Sequence, residues 1–289
     1  MTHYTSHDIE NPIEKELQNL VSKWTEHMKW RSDYDRWVEE RIWQEKNQQW
    51  RIELLQEVTE PKDKILIDLG CGMGGFLVAL LRKNYFAIGI DYNRDYCKIT
   101  KLRSKRYKLC APVLQAAGES LPLKDSCVDI ITCFDVLEHV QNPYDVLKEI
   151  YRVLKPNGIA IVTVINRFAF KDPHYHLKFI NWIPRGVAEQ YIKVRNRVKN
   201  SPCKDRQRLS EMHYFTFKKF KRLAESIGFR VEDLTYLKIS DASKIKDKKM
   251  RKIVNILKII RLNTITYTLL RYFYLPNFTI VLTKKAQKG

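Results

Sequence analysis

The chain has 289 residues and a mass of 34.4 kDa, and 44% of its residues are hydrophobic. That is enough apolar material for one large core with insertions, and it excludes a disordered chain. The formal net charge is +19, of which residues 241–289 carry +10 and residues 166–215 carry +7. An anionic partner is therefore expected at those two segments: a phosphorylated substrate, nucleic acid or acidic lipid headgroups.

The opening, Met1 to Glu10, is polar and offers no apolar stretch for a signal peptide. Residues 12–60 are rich in Glu, Lys, Gln and Leu, with no glycine and no proline after Pro12, and read as a helical extension. Ser32-Asp33 is a break and a new N-cap. Five tryptophans stand here, Trp24, Trp30, Trp37, Trp43 and Trp50. Trp30 shares a helical face with Trp37, and Trp43 with Trp50, but the two pairs sit about 120° apart. Two readings stand: helices packing their tryptophans on the core, and a lid over a ligand pocket.

From Pro61 the pattern alternates. Lys64–Leu69 is a short apolar strand, followed by a glycine turn and a helix over Phe76–Lys83. Strands follow at Tyr85–Asp91, Ala111–Ala116 and Cys127–Phe134, with a helix from Tyr92 to about Arg106 between the first two. Asn142-Pro143 opens a helix to Leu154 as N-cap and N1 residues. Lys155–Gly158 is a turn, and Ile159–Ile165 is a fifth strand. Such alternation means a parallel sheet covered by helices on both faces. After an insertion, 166–215, the chain reads as a helix over Thr216–Ile227 closed by Gly228, a strand over Phe229–Leu237, a basic amphipathic segment, 241–275, and a last strand, Asn277–Thr283. The α/β body is thus 61–289, carrying both insertions.

Six cysteines, Cys71, Cys97, Cys110, Cys127, Cys133 and Cys203, never form a CxxC pair. This argues against a structural zinc site or a disulfide framework and fits a reducing cytosol. Cys71 and Cys133 read as small space-filling residues.

The turn Gly70-Cys71-Gly72-Met73-Gly74-Gly75 lies between a strand and a helix, where α/β sheets bind ligands beyond the strands' carboxyl ends. Asp91 ends the next strand, placed to accept hydrogen bonds from two ribose hydroxyls. Taken alone, the turn and Asp91 also satisfy the dinucleotide fingerprint, so an NAD-dependent oxidoreductase stays open at this point. With Asp68 two places before the first glycine, and with GIDYN, GESLPLKDSCVDIITCFDVLEHV and YRVLKPNG following in order, the chain resembles the class I S-adenosylmethionine-dependent methyltransferases. Within them it resembles the type 11-like branch of quinone-biosynthesis and glycan-cluster enzymes. The resemblance is tight over 64–165 and looser from Gly228 to Thr283.

The resemblance implies a Rossmann-like, doubly wound, mostly parallel sheet ending in an antiparallel hairpin. It implies S-adenosyl-L-methionine as cofactor, with Asp68, Gly70, Gly72 and Gly74 around the methionine part and Asp91 at the ribose. Tyr92, Gly118, Glu119, Leu121 and Asp135 complete the expected cofactor set. An acid that family members often use for the adenine amino group is replaced here by Ala117, so adenine must be read by the Gly118–Leu121 backbone, by Glu119 or from elsewhere.

Methyl transfer from a sulfonium needs alignment and exclusion of water, and a base only when the acceptor must lose a proton. His139 is the base candidate, since imidazole titrates near neutrality; the alternative is that Glu138 and His139 cap the next turn. Asp135 is expected to face the cofactor or acceptor. The acceptor is assigned to the 166–215 insertion, with His174, Tyr175, His176, Trp182 and Arg185. His174 and His176 lack a third ligand at metal spacing, so no metal is expected, and His213 is expected to pack. Lys248–Ile260 puts Ile253, Ile256, Leu257 and Ile260 on one face, the pattern of a helix on an anionic membrane surface, or else of one docked on the domain with its charges solvated. Charges at Lys258, Arg261 and Arg271 argue against a transmembrane span over Ile253–Leu275. The expectation is a cytoplasmic enzyme, peripheral at the inner face of the membrane, methylating an oxygen of a small phosphorylated or lipid-linked acceptor. An RNA methyltransferase is the alternative the basic charge suggests, although the fourth strand ends in CFDVLEH and not in an (N/D)PP(Y/F) run.

Overall fold

The computed structural model describes residues 12–198, 208–245 and 247–285. The polar opening stretch, Cys203 and parts of both basic insertions lie outside them. Three helices come first, α1 (Pro12–Thr25), α2 (Tyr34–Ile42) and α3 (Gln49–Val58), separated by 3₁₀ turns at Glu26–Met28 and Gln44–Asn47. The break at Ser32-Asp33 falls where expected, but Asp33 makes no side-chain cap; its carboxylate takes Arg31 and Arg36 instead. The second break, after Ile42, was not legible in the composition. Of the five tryptophans only Trp24 is buried, and Trp50 is 57% exposed, so packing on the core accounts for one of them.

The alternating part follows the expected order: β1 (Leu66–Leu69), α4 (Gly75–Leu81), β2 (Ala87–Asp91), α5 (Arg94–Lys105), β3 (Val113–Gln115), β4 (Val128–Cys133), α6 (Pro143–Val153) and β5 (Leu154–Ile165). Asn142 caps α6 as expected, its side chain accepting from the Tyr144 amide at 3.1 Å. β5 differs from expectation. The strand starts at Leu154, and Lys155–Gly158 bulges out of it, the register slipping from Val128↔Leu154 to Ile130↔Ile159 with Asn157 at φ +63°.

Beyond β5 come α7 (Arg185–Val194), α8 (Phe217–Ile227), β6 (Phe229–Asp233), α9 (Leu234–Ser240), α10 (Lys248–Ile259), α11 (Asn263–Phe273) and β7 (Asn277–Lys284). The strand expected over Phe229–Leu237 stops at Asp233, whose carboxylate accepts the amides of Thr235 and Tyr236 and starts α9. An Asp cap outweighs the β-prone pattern behind it.

The seven strands form one sheet in the order β3-β2-β1-β4-β5-β7-β6, parallel except for β7, which runs antiparallel to both neighbours. This is the doubly wound, Rossmann-like α/β architecture with its terminal antiparallel hairpin. Adjacent residues of the central strands face opposite layers. Ile67, Ile131 and Ala160 join α6 and α8 in one core, while Leu66, Ile130 and Ile161 join α3 and α4 in the other. Residues of 165–192 and 209–214 gather a small core of their own around Tyr175, Ile180, Ile192 and Met212.

The N-terminal helices are fastened to α5 by buried charge. Arg103 has no solvent exposure; it pairs with Glu45 and donates to three carbonyls, Met73 at 2.7 Å, Ile42 at 2.7 Å and Arg41 at 2.8 Å. Arg106 holds Glu14 at 2.6 Å and Glu45 at 2.7 Å, and the Tyr107 hydroxyl adds a third donor to Glu45. Burial opposes the Glu45 charge, but Arg103 and Arg106 hold its carboxyl below the ordinary carboxylate value. Removing one partner leaves a guanidinium buried without its counter-ion. Glu45→Gln should therefore cost about 3–5 kcal/mol in urea unfolding. Glu16→Gln, which breaks the exposed Lys98–Glu16 pair, should cost less than about 1 kcal/mol. Equal losses for the two variants would contradict the assignment.

Candidate functional site

The site lies at the carboxyl ends of β1, β2 and β4, where the strand order reverses between β1 and β4. Gly70 sits at φ +71°, and a Cβ there would meet Val136 Cγ2 at 2.2 Å. Gly74 sits at φ +77°, and its Cβ would meet Thr100 Cγ2 at 2.4 Å. Both the backbone conformation and the space restrict these places to glycine. The loop between them is held from several sides: the Gly70 amide donates to Ile90 O at 2.7 Å, Thr100 Oγ1 donates to Gly72 O at 3.0 Å, and Arg103 holds Met73 O.

Asp91 closes this arrangement. One carboxylate oxygen accepts the Gly72 amide at 2.8 Å and the other the Asn93 amide at 2.9 Å. Burial pushes its carboxyl up, and those two amides work against the shift. A cavity of about 250 Å³ opens beside it, walled by Gly70, Gly72, Asp91, Tyr92, Gly118, Glu119, Asp135 and His139 among others. The glycine loop at one end and a carboxylate with free lone pairs in the middle fit an adenosyl cofactor. Ala117 lies on the wall, and the nearest acid in sequence on the same wall is Glu119, which already accepts the Gln141 amide at 2.8 Å.

Three expected cofactor residues do not reach that wall. Gly74 is the N-cap of α4 behind the loop, Leu121 is buried in the α6 core, and Asp68 lies beneath, 4% exposed, accepting a hydrogen bond from Thr132 Oγ1 at 2.8 Å.

A second cavity, about 560 Å³, adjoins the first; Gly70, Gly72, Tyr96, Asp135 and His139 line both. Asp135 stands at the junction at φ +59°, a conformation few non-glycine residues adopt, held by its amide to Thr163 Oγ1 at 2.7 Å. Arg51 of α3, stacked on Phe134, pairs with its carboxylate at 3.0 Å. His139 lies 5.0 Å from His174 between ring centroids, and the carboxylate of Glu138, 1% exposed, comes within 3.6 Å of His174 and 4.0 Å of His139. Candidate ligand atoms of Glu138, His139 and His174 all lie within 4.8 Å of one another. Glu138 therefore faces this histidine pair, and the start of α6 is capped by Asn142.

From the 166–215 insertion, Pro173, His174 and His176 reach the second cavity. Tyr175 is buried in the insertion's own core and Arg185 stacks on Tyr214. Trp182 packs against Phe170, Phe179 and Phe273. His213 hydrogen-bonds Gln141 O at 3.2 Å and lines neither cavity. Residues 24–51 supply much of the remaining wall, including Trp24, Trp37, Arg31, Arg41 and Arg51. Sequence reading missed these arginines because residues 12–60 hold eight Lys/Arg against eleven acids, so no charge excess marks them.

Residues 67–162 match the family described as "Methyltransferase domain". An uncharacterized protein of Methanocaldococcus jannaschii is 39% identical over 114 residues, 39% of this chain and 46% of that protein. The ubiquinone biosynthesis O-methyltransferase of Pseudomonas fluorescens SBW25 is 27% identical over 146 residues, 48% of this chain and 62% of that one. The chain thus spans about half the length of the curated relatives it matches. A solved methyltransferase from Methanosarcina mazei superposes with a TM-score of 0.52 at 19% identity, over 81% of this chain and 98% of that one, a likeness of fold.

Asp68 supplies a test of how tightly this floor is sealed. Burial pushes its carboxyl from 3.8 up to about 6, against the Thr132 hydrogen bond and the Arg51 charge. Its contribution to stability is fully present below 3.8 and is lost as pH rises through about 6. Asn keeps the acceptor for Thr132 without a charge. The stability of Asp68→Asn relative to the parent should therefore rise by roughly 2 kcal/mol between pH 4 and pH 8. A difference that does not move with pH in denaturant titrations would show the carboxyl to be well solvated.

Proposed function

We propose that this protein, whose residues 67–162 match a methyltransferase domain, transfers the methyl group of S-adenosyl-L-methionine to an oxygen of a small acceptor, phosphorylated or lipid-linked and of glycan- or quinone-like kind, at a membrane surface. The observation that carries this reading is the junction of the two cavities at Asp135 and His139. A donor in the smaller cavity, with its methionine end at the glycine loop, and an acceptor in the larger one would meet there. The cofactor supplies an electrophilic methyl group on a good leaving group. The protein's part is to align the acceptor oxygen, exclude water and take up its proton.

His139 is the base in this reading, with Glu138 holding the imidazole and stabilising its protonated form. Asp135, locked by Thr163 and Arg51, fixes the acceptor's approach. Residues between Trp24 and Arg51 roof the acceptor cavity, and Pro173, His174 and His176 form its side wall; a 3.3 Å contact between Arg31 and His176 ties the two across the opening.

The oxygen acceptor is supported by the O-methyltransferases among the relatives. The membrane surface is supported by α10 and α11, which meet at a 119° bend. Residues 248–275 contain no acid, and Ile253, Ile256, Ile259, Ile260, Leu269 and Phe273 are exposed on them. No single described helix is long and apolar enough to cross a membrane; a basic bent pair of this kind suits the interface plane, at the inner, cytoplasmic face. Trp182 against Phe273 and Phe168 against Tyr272 join this surface to the segment that walls the acceptor cavity.

The test supplies methyl-labelled S-adenosylmethionine and the purified protein to a whole cell extract, then partitions the label. Label in the organic phase, absent with Asp91→Ala, is the expected result. Label in RNA would replace the lipid-linked acceptor by a polynucleotide, and no transfer by the parent protein to any fraction would sink the enzymatic reading.

A further inference from the structure

The three arginines of the larger cavity are not equivalent. Arg31 is committed to Asp33, with Nε and Nη2 each on one carboxylate oxygen at 2.9 and 3.0 Å. Arg51 is committed to Asp135. Arg41 lies on the wall between them, and among the described residues no carboxylate stands within ion-pair distance of it. Its guanidinium rests 5.0 Å from the Trp37 ring centroid, a contact that compensates only part of the lost hydration. Burial and the neighbouring charges of Arg51 and Arg31 all lower its pKa, with Tyr96 and Asp135 acting against them.

The backbone leaves this side chain little freedom to withdraw. Arg103 grips the carbonyls of Arg41 and of Ile42, so the last turn of α2 is anchored from below. A half-buried cation with no carboxylate in ion-pair contact is poorly compensated, and here it faces a cavity of 560 Å³ that also holds His139, His174 and His176. Guanidinium groups bind planar and tetrahedral oxyanions by paired hydrogen bonds.

We infer that Arg41 is the seat of an anionic oxygen group, phosphoryl or carboxylate, on the acceptor, and is therefore a specificity-determining residue of the methyl-transfer reaction. The inference rests on the methyl-transfer reading above. It places the acceptor's charge on the N-terminal helices and leaves the neutral, reacting end of the acceptor for the Asp135–His139 junction.

The methionine carboxylate of the cofactor is the competing occupant, since Gly70 to Met73 border the same cavity. The test removes it by saturating the protein with S-adenosylhomocysteine, which carries that carboxylate, before titrating inorganic phosphate calorimetrically. The saturated parent should still bind phosphate. Arg41→Gln should weaken that binding at least tenfold while S-adenosylhomocysteine affinity stays within twofold. Arg36→Gln removes the same charge from an exposed place on α2, 73% exposed in its side chain, and should leave phosphate binding unchanged. Phosphate binding that vanishes on saturation, with Arg41→Gln weakening S-adenosylhomocysteine itself, would overturn the inference and give Arg41 to the cofactor. So would equal weakening by Arg36→Gln. A parent protein that fails to bind S-adenosylhomocysteine would instead defeat the methyl-transfer reading.

Discussion

A guanidinium with no access to water can be kept charged only if nearly every one of its donors finds an oxygen. Arg103 meets that condition with oxygens drawn from three separate parts of the chain: the glycine loop, the end of α2 and Glu45 in the turn behind it. Its position on α5, a helix of the sheet layer, turns the demand for hydrogen bonds into a geometric constraint. The loop that shapes the smaller cavity and the helix that walls the larger one are referred to the same side chain. Arg106 extends the arrangement to α1 through Glu14, so the buried ion pairs of the N-terminal helices converge on neighbouring residues at the end of α5.

The sheet and its order were legible because each part carries redundant local signals. Apolar runs of four to six residues alternate with helical stretches, a glycine turn follows β1, and Asn142-Pro143 marks the start of α6 as both cap and first-turn residue. The misreadings have local causes of another kind. Asp233 ends β6 early by capping a helix, a choice made by one carboxylate against four residues of strand-prone sequence. Lys155–Gly158 reads as a turn, and it is a bulge because β4 pairs on both sides of it.

The smaller cavity was legible for the same reason as the fold: many of its residues sit at fixed places relative to strands β1 and β2. The larger cavity was not. Its wall is assembled from Arg31, Arg41, Arg51, His174 and His176, which lie far apart in sequence and share no period. Counting charge by segment pointed to 166–215 and 241–289, whereas the arginines of the cavity come from a stretch with more acids than bases. Net charge reports where a chain attracts ions at long range; a pocket is decided by which few charges lack a partner inside it.

Arg103 touches α2 only through carbonyl oxygens, which every residue type supplies alike. That anchor is therefore indifferent to the identity of the side chains at the residues that supply the carbonyls. Exchanging the residues at 37 and 41 would leave that anchor in place, so the wall of the larger cavity could change in single steps while the smaller cavity stays as it is.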